Sequence, residues 1–198
     1  RAEMVKSTKI YKNFNIIKQH KRSIILIGNF DGLHLGHQKL FKLAKNFKKK
    51  YSLNVGVLTF EPMPKMFFNN KLSNFRISNQ KQKINSLKKH NVDFVIIKKF
   101  NKKFSKIKSK NFIKNILVSK LQAKFIFVSN NFRFGNRREG NVRQLIKYEK
   151  KFNYKIIKPK PLSKNKKIIS SSLIRKLLMN GKIKKANEFL NREWSIEG

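Results

Sequence analysis

Short apolar runs alternate along the chain with longer stretches whose apolar residues recur at helical spacing. Some of the runs are almost continuously apolar, as in parallel strands that are buried on both faces. The predicted strands are residues 24–27, 54–60, 93–97, 124–129 and 154–158, and the predicted helices between them are residues 36–51, 78–90, 109–121 and 141–152. This alternation predicts an α/β fold, a Rossmann-like open parallel sheet with helices on both faces and right-handed crossovers.

Two more helical stretches, residues 171–179 and 182–190, follow the last predicted strand and are separated by an Asn-Gly pair. They predict a small C-terminal helical segment. Residues 61–77 and 159–169 carry the prolines and polar runs of long loops. Loops of that length in a compact domain are often functional.

The turn between the first strand and the first helix reads GNFDGLHLGH, residues 28–37. Gly28 and Gly32 let peptide N–H groups approach a phosphate, and a helix that begins near His34 points the positive end of its dipole the same way. His34 and His37 share one helix face. Because ligands of open α/β sheets bind beyond the carboxyl ends of the strands, the turn predicts a phosphate site with two imidazole donors.

A purely structural interpretation of this turn stays open at this point. The histidines would then be surface residues of the helix, and Asp31 would only cap its N-terminus. The turn lacks the Walker GxxxxGK[ST] pattern and the GxGxxG fingerprint, so it predicts neither a P-loop nor a dinucleotide-binding fold.

The charge of the chain is extreme, with 49 Lys and Arg against 9 Asp and Glu and a formal net charge of +40 over 198 residues. Such a chain attracts polyanions. Its lysines are scattered, however, and the joint abundance of Lys, Asn, Ile and Phe is typical of an AT-biased genome, so charge alone does not decide the function. The lack of Cys excludes disulfides and thiolate metal sites. Without a long apolar run or a secretory signal, we expect a soluble, cytoplasmic protein with no membrane partner.

Four segments, in order, resemble the motifs of one enzyme family. GNFDGLHLGH resembles the GxFDxxHxGH signature of the nucleotidylyltransferase superfamily. LTFEPMPKMFF (58–68) is similar to an FxPxP flavin-loop segment, NNFRFGNRREGNV (130–142) to an NFxFGxxxxG segment, and residues 169–198, which begin ISSSLIRKLL, to an SSTxIR helix and the exit towards a kinase module. Together they resemble the FMN adenylyltransferase module of bacterial bifunctional riboflavin kinase/FAD synthetases.

Three positions depart from the family pattern. Met63 stands where the family usually has His, and it removes a polar group beside the flavin loop. Ser129 stands where a Gly usually precedes the NFxFG segment, which narrows the nucleotide approach. Ser172 replaces the Thr of SST and keeps its hydroxyl.

The resemblance implies adenylyl transfer from ATP to FMN, giving FAD and pyrophosphate, with Mg²⁺ accompanying ATP and with no protein metal ligands. Its implied catalytic residues are His34, His37, Ser171 and Arg175. The implied ATP-binding residues are Gly28, Asn29, Phe30, Asp31, His34, Gly36, His37, Ser170, Ser171, Ser172 and Arg175. The implied FMN-binding residues are Phe60, Pro62, Pro64, Asn131, Arg133 and Gly135.

The resemblance also implies a domain organisation. Residues 1–190 form the adenylyltransferase domain, and residues 191–198 begin a linker towards a riboflavin kinase module that these residues do not include. We therefore expect no riboflavin kinase activity from this sequence.

Purely structural interpretations of the other segments also stay open. The serines before residue 173 could be a plain N-cap, the 130–142 segment a basic loop, and the prolines of the 58–68 segment part of a loop that packs on its own domain. Two other functions also stay open: nucleotidyl transfer to another phosphorylated substrate, and a basic nucleic-acid-binding module. Because the Phe residues of the predicted strands sit in apolar runs, we expect no specific nucleic-acid partner.

Overall fold

The structure, a computed structural model, describes residues 7–72 and 75–197. Within these ranges six parallel strands form the central sheet: β1 (Lys9–Tyr11), β2 (Ile24–Ile27), β3 (Val55–Glu61), β4 (Phe94–Lys99), β5 (Phe125–Phe127) and β8 (Lys155–Ile157). Their order across the sheet is β1-β4-β3-β2-β5-β8. The predicted Rossmann-like parallel sheet is confirmed. Residues 1–6, 73, 74 and 198, which the predicted domain, loop and linker include, lie outside the described residues.

The apolar pattern does not predict strand β1, which the structure contains. Of its three residues only Tyr11 is buried, so the run is too short and too polar to show a strand period. The strand exists because it pairs with β4, where Ile10 lies beside Val95. Pairing between segments this far apart in sequence leaves no local signal.

Short ribbons occupy two of the segments between the main elements. Strand β6 (Arg133–Phe134) pairs antiparallel with β7 (Gly140–Asn141), inside the segment predicted to contact flavin. Strand β9 (Ser163–Lys164) pairs with β10 (Lys167–Ile168) across a two-residue turn in which both φ angles are positive, as tight hairpins require. The predicted 159–169 loop therefore contains a hairpin.

The helices follow the predicted ones with local differences. They are α1 (Leu35–Tyr51), α2 (Pro64–Phe68), α3 (Gln80–Lys89), α4 (Lys102–Ser105), α5 (Ser109–Asn111, continued as a π-helix over Phe112–Lys120), α6 (Val142–Lys147), α7 (Glu149–Phe152), α8 (Ser171–Met179) and α9 (Ile183–Leu190). The predicted 61–77 loop contains α2, whose first residue is a proline. The predicted 141–152 helix is interrupted at Tyr148.

Apolar clusters on both faces of the sheet explain the layered fold. On one face Ile25 and Ile27 pack with the helix that follows Ser109, and on the other Ile24 and Leu26 pack with α1 and α3. A third cluster joins the C-terminal helices to the loop ahead of α3 and is built from Ile77, Ile169, Ile174, Leu177, Phe189 and Leu190. The predicted C-terminal helical segment is thus packed against the loop ahead of α3.

Candidate active site

The turn formed by residues 28–37 lies where the order of strands in the sheet reverses. The chain passes from β2 to β3 on one side, and β5 flanks β2 on the other. Open α/β sheets bind ligands at such a switch point, beyond the carboxyl ends of the strands. The sheet therefore places the turn where a phosphate site is expected.

Tight backbone geometry defines the turn. Phe30 and Leu33 have positive φ angles of 49° and 40°, which are costly for bulky residues unless the surroundings hold them. The Phe30 ring is 2% exposed and packs 5.5 Å from the ring of Phe41. Gly32 has φ of +79°, and a Cβ there would lie 2.8 Å from Ile77. Buried packing thus contributes to holding the turn in this conformation.

The two histidines lie together at the start of α1. His34 is the N-cap residue, and its Nδ1 accepts a long hydrogen bond of 3.4 Å from the backbone N–H of His37. The two rings stack with centroids 3.7 Å apart. Gly36 makes room for this arrangement, because a Cβ there would lie 3.0 Å from the His34 ring. His34, rather than Asp31, therefore caps the helix.

Burial keeps both rings neutral at neutral pH. It lowers the pKa of His34 to about 4, against the opposing attraction of Asp31. The pKa of His37 also lies well below its ordinary value, because of burial and then the nearby charges of His34 and His90. Since His34 Nδ1 accepts a hydrogen bond, the neutral ring carries its proton on Nε2, where it can be donated. Within the described residues, His37 Nδ1 is buried without a hydrogen-bond partner.

Asp31 connects the turn to two other segments. Asp31 is 3% exposed, and its carboxylate accepts hydrogen bonds from the backbone N–H groups of Ile77 and Ser78, at distances from 2.9 to 3.2 Å. Its backbone carbonyl accepts a hydrogen bond of 2.9 Å from Ser171 Oγ. A buried carboxylate needs such partners.

The guanidinium of Arg175 is a further hydrogen-bond partner of the Asp31 carboxylate. Arg175 Nη2 lies 2.9 Å from Asp31 Oδ2, and its Nε donates a hydrogen bond of 2.8 Å to the carbonyl of Phe75. The guanidinium carbon lies 3.8 Å from the centre of the Phe75 ring. Arg175 thus reaches the turn, as the sequence predicts, but part of its donor capacity holds Asp31. The catalytic and ATP-binding role that the resemblance implies for Arg175 stays a prediction.

The three serines before α8 have different surroundings. Ser170 is the N-cap residue and accepts a hydrogen bond of 3.2 Å from the backbone N–H of Leu173. Ser171 donates to Asp31, and Ser172 is exposed. The capping interpretation therefore describes Ser170, and Ser171 joins α8 to the turn.

The first predicted flavin segment lies at the carboxyl end of β3. Phe60 is 8% exposed, and its ring packs 5.5 Å from that of Phe104, so it belongs to the core. Pro62 and Pro64 are partly exposed, while Met63 between them is buried. The prolines, rather than Phe60, offer accessible apolar surface.

The second predicted flavin segment lies beyond β5. Asn131 and Arg133 are exposed, and Asn131 Oδ1 accepts a hydrogen bond of 2.8 Å from Ser129 Oγ. Gly135 has φ of +77°, and a Cβ there would lie 2.6 Å from the backbone of Ser109. A row of ring contacts connects the two segments that are predicted to bind flavin, through Phe60, Phe104, Phe112, Phe134 and Phe132.

Lys83 lies beneath the turn and is absent from the predicted site. Its Nζ is buried and donates to the carbonyl of Asn29 and to Thr59 Oγ1, both at 3.3 Å. Burial lowers the pKa of Lys83, against the opposing attraction of Glu61. Lys83 and Leu87 are the buried residues of α3 and are spaced by one helical turn, which is the sequence signal that could have found it.

No group of three or more His, Cys, Asp or Glu within residues 7–72 and 75–197 could hold a metal ion. The carboxylate of Asp31, in the same turn as the histidines, is already engaged by Arg175 and two backbone N–H groups. Over the same residues no helix has the length and apolar character needed to cross a membrane.

Comparisons with known sequences find similarity to FAD synthetases and to riboflavin kinase/FMN adenylyltransferases. The model of the FAD synthetase family matches residues 16–173. The bifunctional riboflavin kinase/FMN adenylyltransferase of Buchnera aphidicola subsp. Acyrthosiphon pisum is 43% identical over 96% of this chain and 61% of the relative. The protein of the same name from Escherichia coli K12 is 31% identical over 88% of this chain and 56% of the relative. The chain thus spans less than two thirds of the length of these curated relatives.

Solved structures agree on the fold. A structure described as a macrolide-efflux protein from Streptococcus pneumoniae is 27% identical with a TM-score of 0.82, covering 94% of this chain and 60% of the other. A pantoate-beta-alanine ligase from Francisella tularensis, complexed with beta-gamma ATP and beta-alanine, has a TM-score of 0.56 at 18% identity and covers 93% and 78% of the two chains. The latter likeness concerns the fold alone.

Proposed function

Because the chain belongs to the FAD synthetase family, we propose that it transfers the adenylyl group of ATP to FMN, giving FAD and pyrophosphate. The observation that carries the proposal is the stacked pair His34 and His37 at the N-terminus of α1, at the switch point of the sheet. A helix N-terminus with convergent N–H donors suits a triphosphate.

In the proposed reaction a phosphate oxygen of FMN attacks the α-phosphorus of ATP in line. The new bond joins the two phosphates, and the bond from the α-phosphorus to the oxygen that bridges it to the β-phosphorus breaks, releasing pyrophosphate. No protein nucleophile takes part. Catalysis then comes from positioning and from donors aimed at the developing negative charge.

Neutral imidazoles suit this role. His34 Nε2 carries a proton that it can donate to a phosphate oxygen, and burial lowers the pKa of the ring, which favours the neutral form before ATP binds. We assign His37 the same role on the same helix face. The backbone N–H of Ser171 and the remaining N–H groups of Arg175 would bind the phosphates beside the turn, while Asp31 holds the side chains of both residues in place.

The flavin would bind between the two loops that end β3 and β5. The partly exposed rings of Pro62 and Pro64 offer flat apolar surface for the isoalloxazine. The exposed side chains of Asn131 and Arg133, with the close backbone at Gly135, would bind the polar edge and phosphate of FMN. Phe60 would support this surface from behind.

We propose that Mg²⁺ enters with ATP, held by phosphate oxygens and water. The donor set fits that arrangement, because the described residues near the turn offer imidazoles, hydroxyls and N–H groups rather than free carboxylates. When bound, Mg²⁺ would neutralise phosphate charge and polarise the transferred group.

The matched relatives are described as bifunctional, and this chain spans 56–61% of the two compared above. We propose that these residues carry the adenylyltransferase activity alone, covalently linked in the full family architecture to a riboflavin kinase module. We also propose that the enzyme works in the cytoplasm on freely diffusing ATP and FMN.

One assay tests the proposal. The purified chain is incubated with FMN, ATP and Mg²⁺, and FAD and pyrophosphate are measured together, with riboflavin replacing FMN in a parallel sample. We expect equal amounts of FAD and pyrophosphate, and no FMN from riboflavin. Pyrophosphate release with another phosphorylated acceptor but not with FMN would favour a different transferase. Salt-sensitive RNA binding without any transfer would favour a nucleic-acid-binding module.

A further inference from the structure

The segment that follows α9 donates two hydrogen bonds to the surroundings of Asp31. Arg192 Nη1 donates to the carbonyl of Gly32 at 2.7 Å, and the indole Nε1–H of Trp194 donates to the carbonyl of Ile77 at 2.9 Å. Both acceptors border the carboxylate network. Gly32 follows Asp31 in the chain, and the N–H of Ile77 donates to the Asp31 carboxylate.

This segment is itself held on two sides. The backbone N–H of Trp194 donates to Asn187 Oδ1 in α9 at 2.9 Å. Gln82 Nε2, in the first turn of α3, donates to the carbonyl of Ser195 at 3.1 Å. The side chains of Arg192 and Trp194 therefore reach the turn from a fixed backbone.

The turn needs external support because its conformation is strained. Phe30 and Leu33 both occupy positive φ, and such residues persist only where surrounding contacts hold them. The charged hydrogen bond from Arg192 fixes the peptide between Gly32 and Leu33, next to His34. Burial lowers the pKa of Arg192, with Asp31 opposing that effect, which agrees with its place against the turn.

We propose that Arg192 and Trp194 are positioning residues that hold the histidine turn in the conformation that binds ATP. They lie beyond the residues matched by the family model and inside the segment that the sequence predicts as a linker. This inference rests on the proposed function for its kinetic test. Its binding test requires ATP alone.

Trp194 supplies a direct probe, because it is the only Trp in the sequence. If the turn and Trp194 are coupled through Ile77, ATP binding in the absence of FMN changes the Trp194 emission in a saturable way. If Arg192 holds the turn in the conformation that binds ATP, a change at Arg192 weakens ATP binding, and the midpoint of this emission titration moves to a higher ATP concentration.

The test compares Arg192→Gln, Arg192→Lys and Trp194→Phe with the matched control Glu193→Gln, an exposed residue between the two. We expect Arg192→Gln and Trp194→Phe to raise the KM for ATP roughly tenfold, the scale of one buried hydrogen bond. The KM for FMN should stay nearly unchanged, and the thermal midpoint should fall by only a few degrees, as the loss of one hydrogen bond predicts. Arg192→Lys should recover part of the loss, and Glu193→Gln should resemble the parent chain. In Arg192→Gln the midpoint of the emission titration should move to higher ATP by the same factor.

Two results would overturn the inference. The first is a lowered thermal midpoint with an unchanged KM for ATP, which means that the segment is only structural. The second is FAD formation by the parent chain without any change in Trp194 emission at saturating ATP. If the parent chain makes no FAD but its emission responds to ATP and Arg192→Gln shifts the midpoint, the proposed function fails and the inference stands. If neither signal appears, both fail.

Discussion

The carboxylate of Asp31 and the guanidinium of Arg175 form an ion pair of 2.9 Å across 144 positions of sequence. Their side chains are 4% and 16% exposed. The pair joins the histidine turn to α8, so the two segments predicted to bind ATP phosphates are held together before ATP arrives. Removing one member of a buried pair leaves the other charge without compensation.

Asp31→Asn should therefore lower the free energy of unfolding by about 3 kcal/mol. The amide NH2 group replaces one of the two carboxylate oxygens, and because both oxygens accept from the N–H of Ile77, a hydrogen bond to that N–H is lost in either orientation of the amide, which adds to the cost. Lys155→Met is the matched control, because it removes the exposed pair with Glu149 and should cost less than about 1 kcal/mol. Urea unfolding of both variants measures the difference. Equal losses would mean that the Asp31 pair is no more important than a surface contact.

His37→Leu should separate activity from stability. The variant keeps a similar volume beside the Phe30 ring and removes the buried Nδ1 that lacks a partner within the described residues. Stability should stay the same or rise, because no hydrogen bond to this atom is lost. Turnover should fall roughly 10²-fold, the scale of one preorganised donor. FAD formation and thermal unfolding are measured on the same sample, and undiminished turnover would remove His37 from the catalytic assignment.

The pH dependence of stability should contain a step from His34. Its pKa is about 4 in the folded protein and 6.5 ordinarily. As pH falls through this window, His34 becomes protonated in the unfolded chain but stays neutral in the folded chain. This contribution to stability is therefore complete above the ordinary pKa and is lost as pH falls to the pKa of the folded protein. The total loss is roughly 3 kcal/mol.

His34→Asn isolates this step, because Asn preserves an N-cap while removing the titrating ring. Across this pH window the free energy of unfolding, measured with denaturant, should fall less steeply with decreasing pH in the variant. The difference between the two slopes should correspond to at most one proton taken up on unfolding. Parallel slopes for the two proteins would show that His34 does not titrate differently on folding.

The histidine site was predictable because its signal is local. The spacing of His34 and His37, and their place between a strand and a helix, are visible in ten consecutive residues. The contacts that hold the site are distant in sequence: Lys83 to Asn29 and Arg192 to Gly32. In a chain with 49 basic residues, composition does not single out either residue, and only the helical spacing of Lys83 and Leu87 offers a signal for Lys83.

Phe60 shows a second limit of prediction from sequence, because its motif is visible in the sequence but its surroundings are not. Its motif predicts a flavin contact, yet its ring is buried in the core, because the same apolar residue that suits a flat ligand also suits the interior. Sequence patterns place apolar residues on elements but do not distinguish a ligand face from a core face. Only the packing of Phe104 against Phe60 makes that distinction.

Pro64→Gly tests the flavin assignment on an accessible residue. Pro64 begins α2 and restricts the backbone of the loop that follows β3, so Gly frees that loop without altering any side chain near His34. The dissociation constant for FMN should rise about two- to five-fold, and that for ATP should not change. Pro161→Gly, at an exposed position just ahead of the β9–β10 hairpin, is the control and should change neither. Calorimetric titration of each variant with each ligand separately decides the outcome, and equal weakening of ATP and FMN by Pro64→Gly would show that this loop does not form a separate flavin subsite.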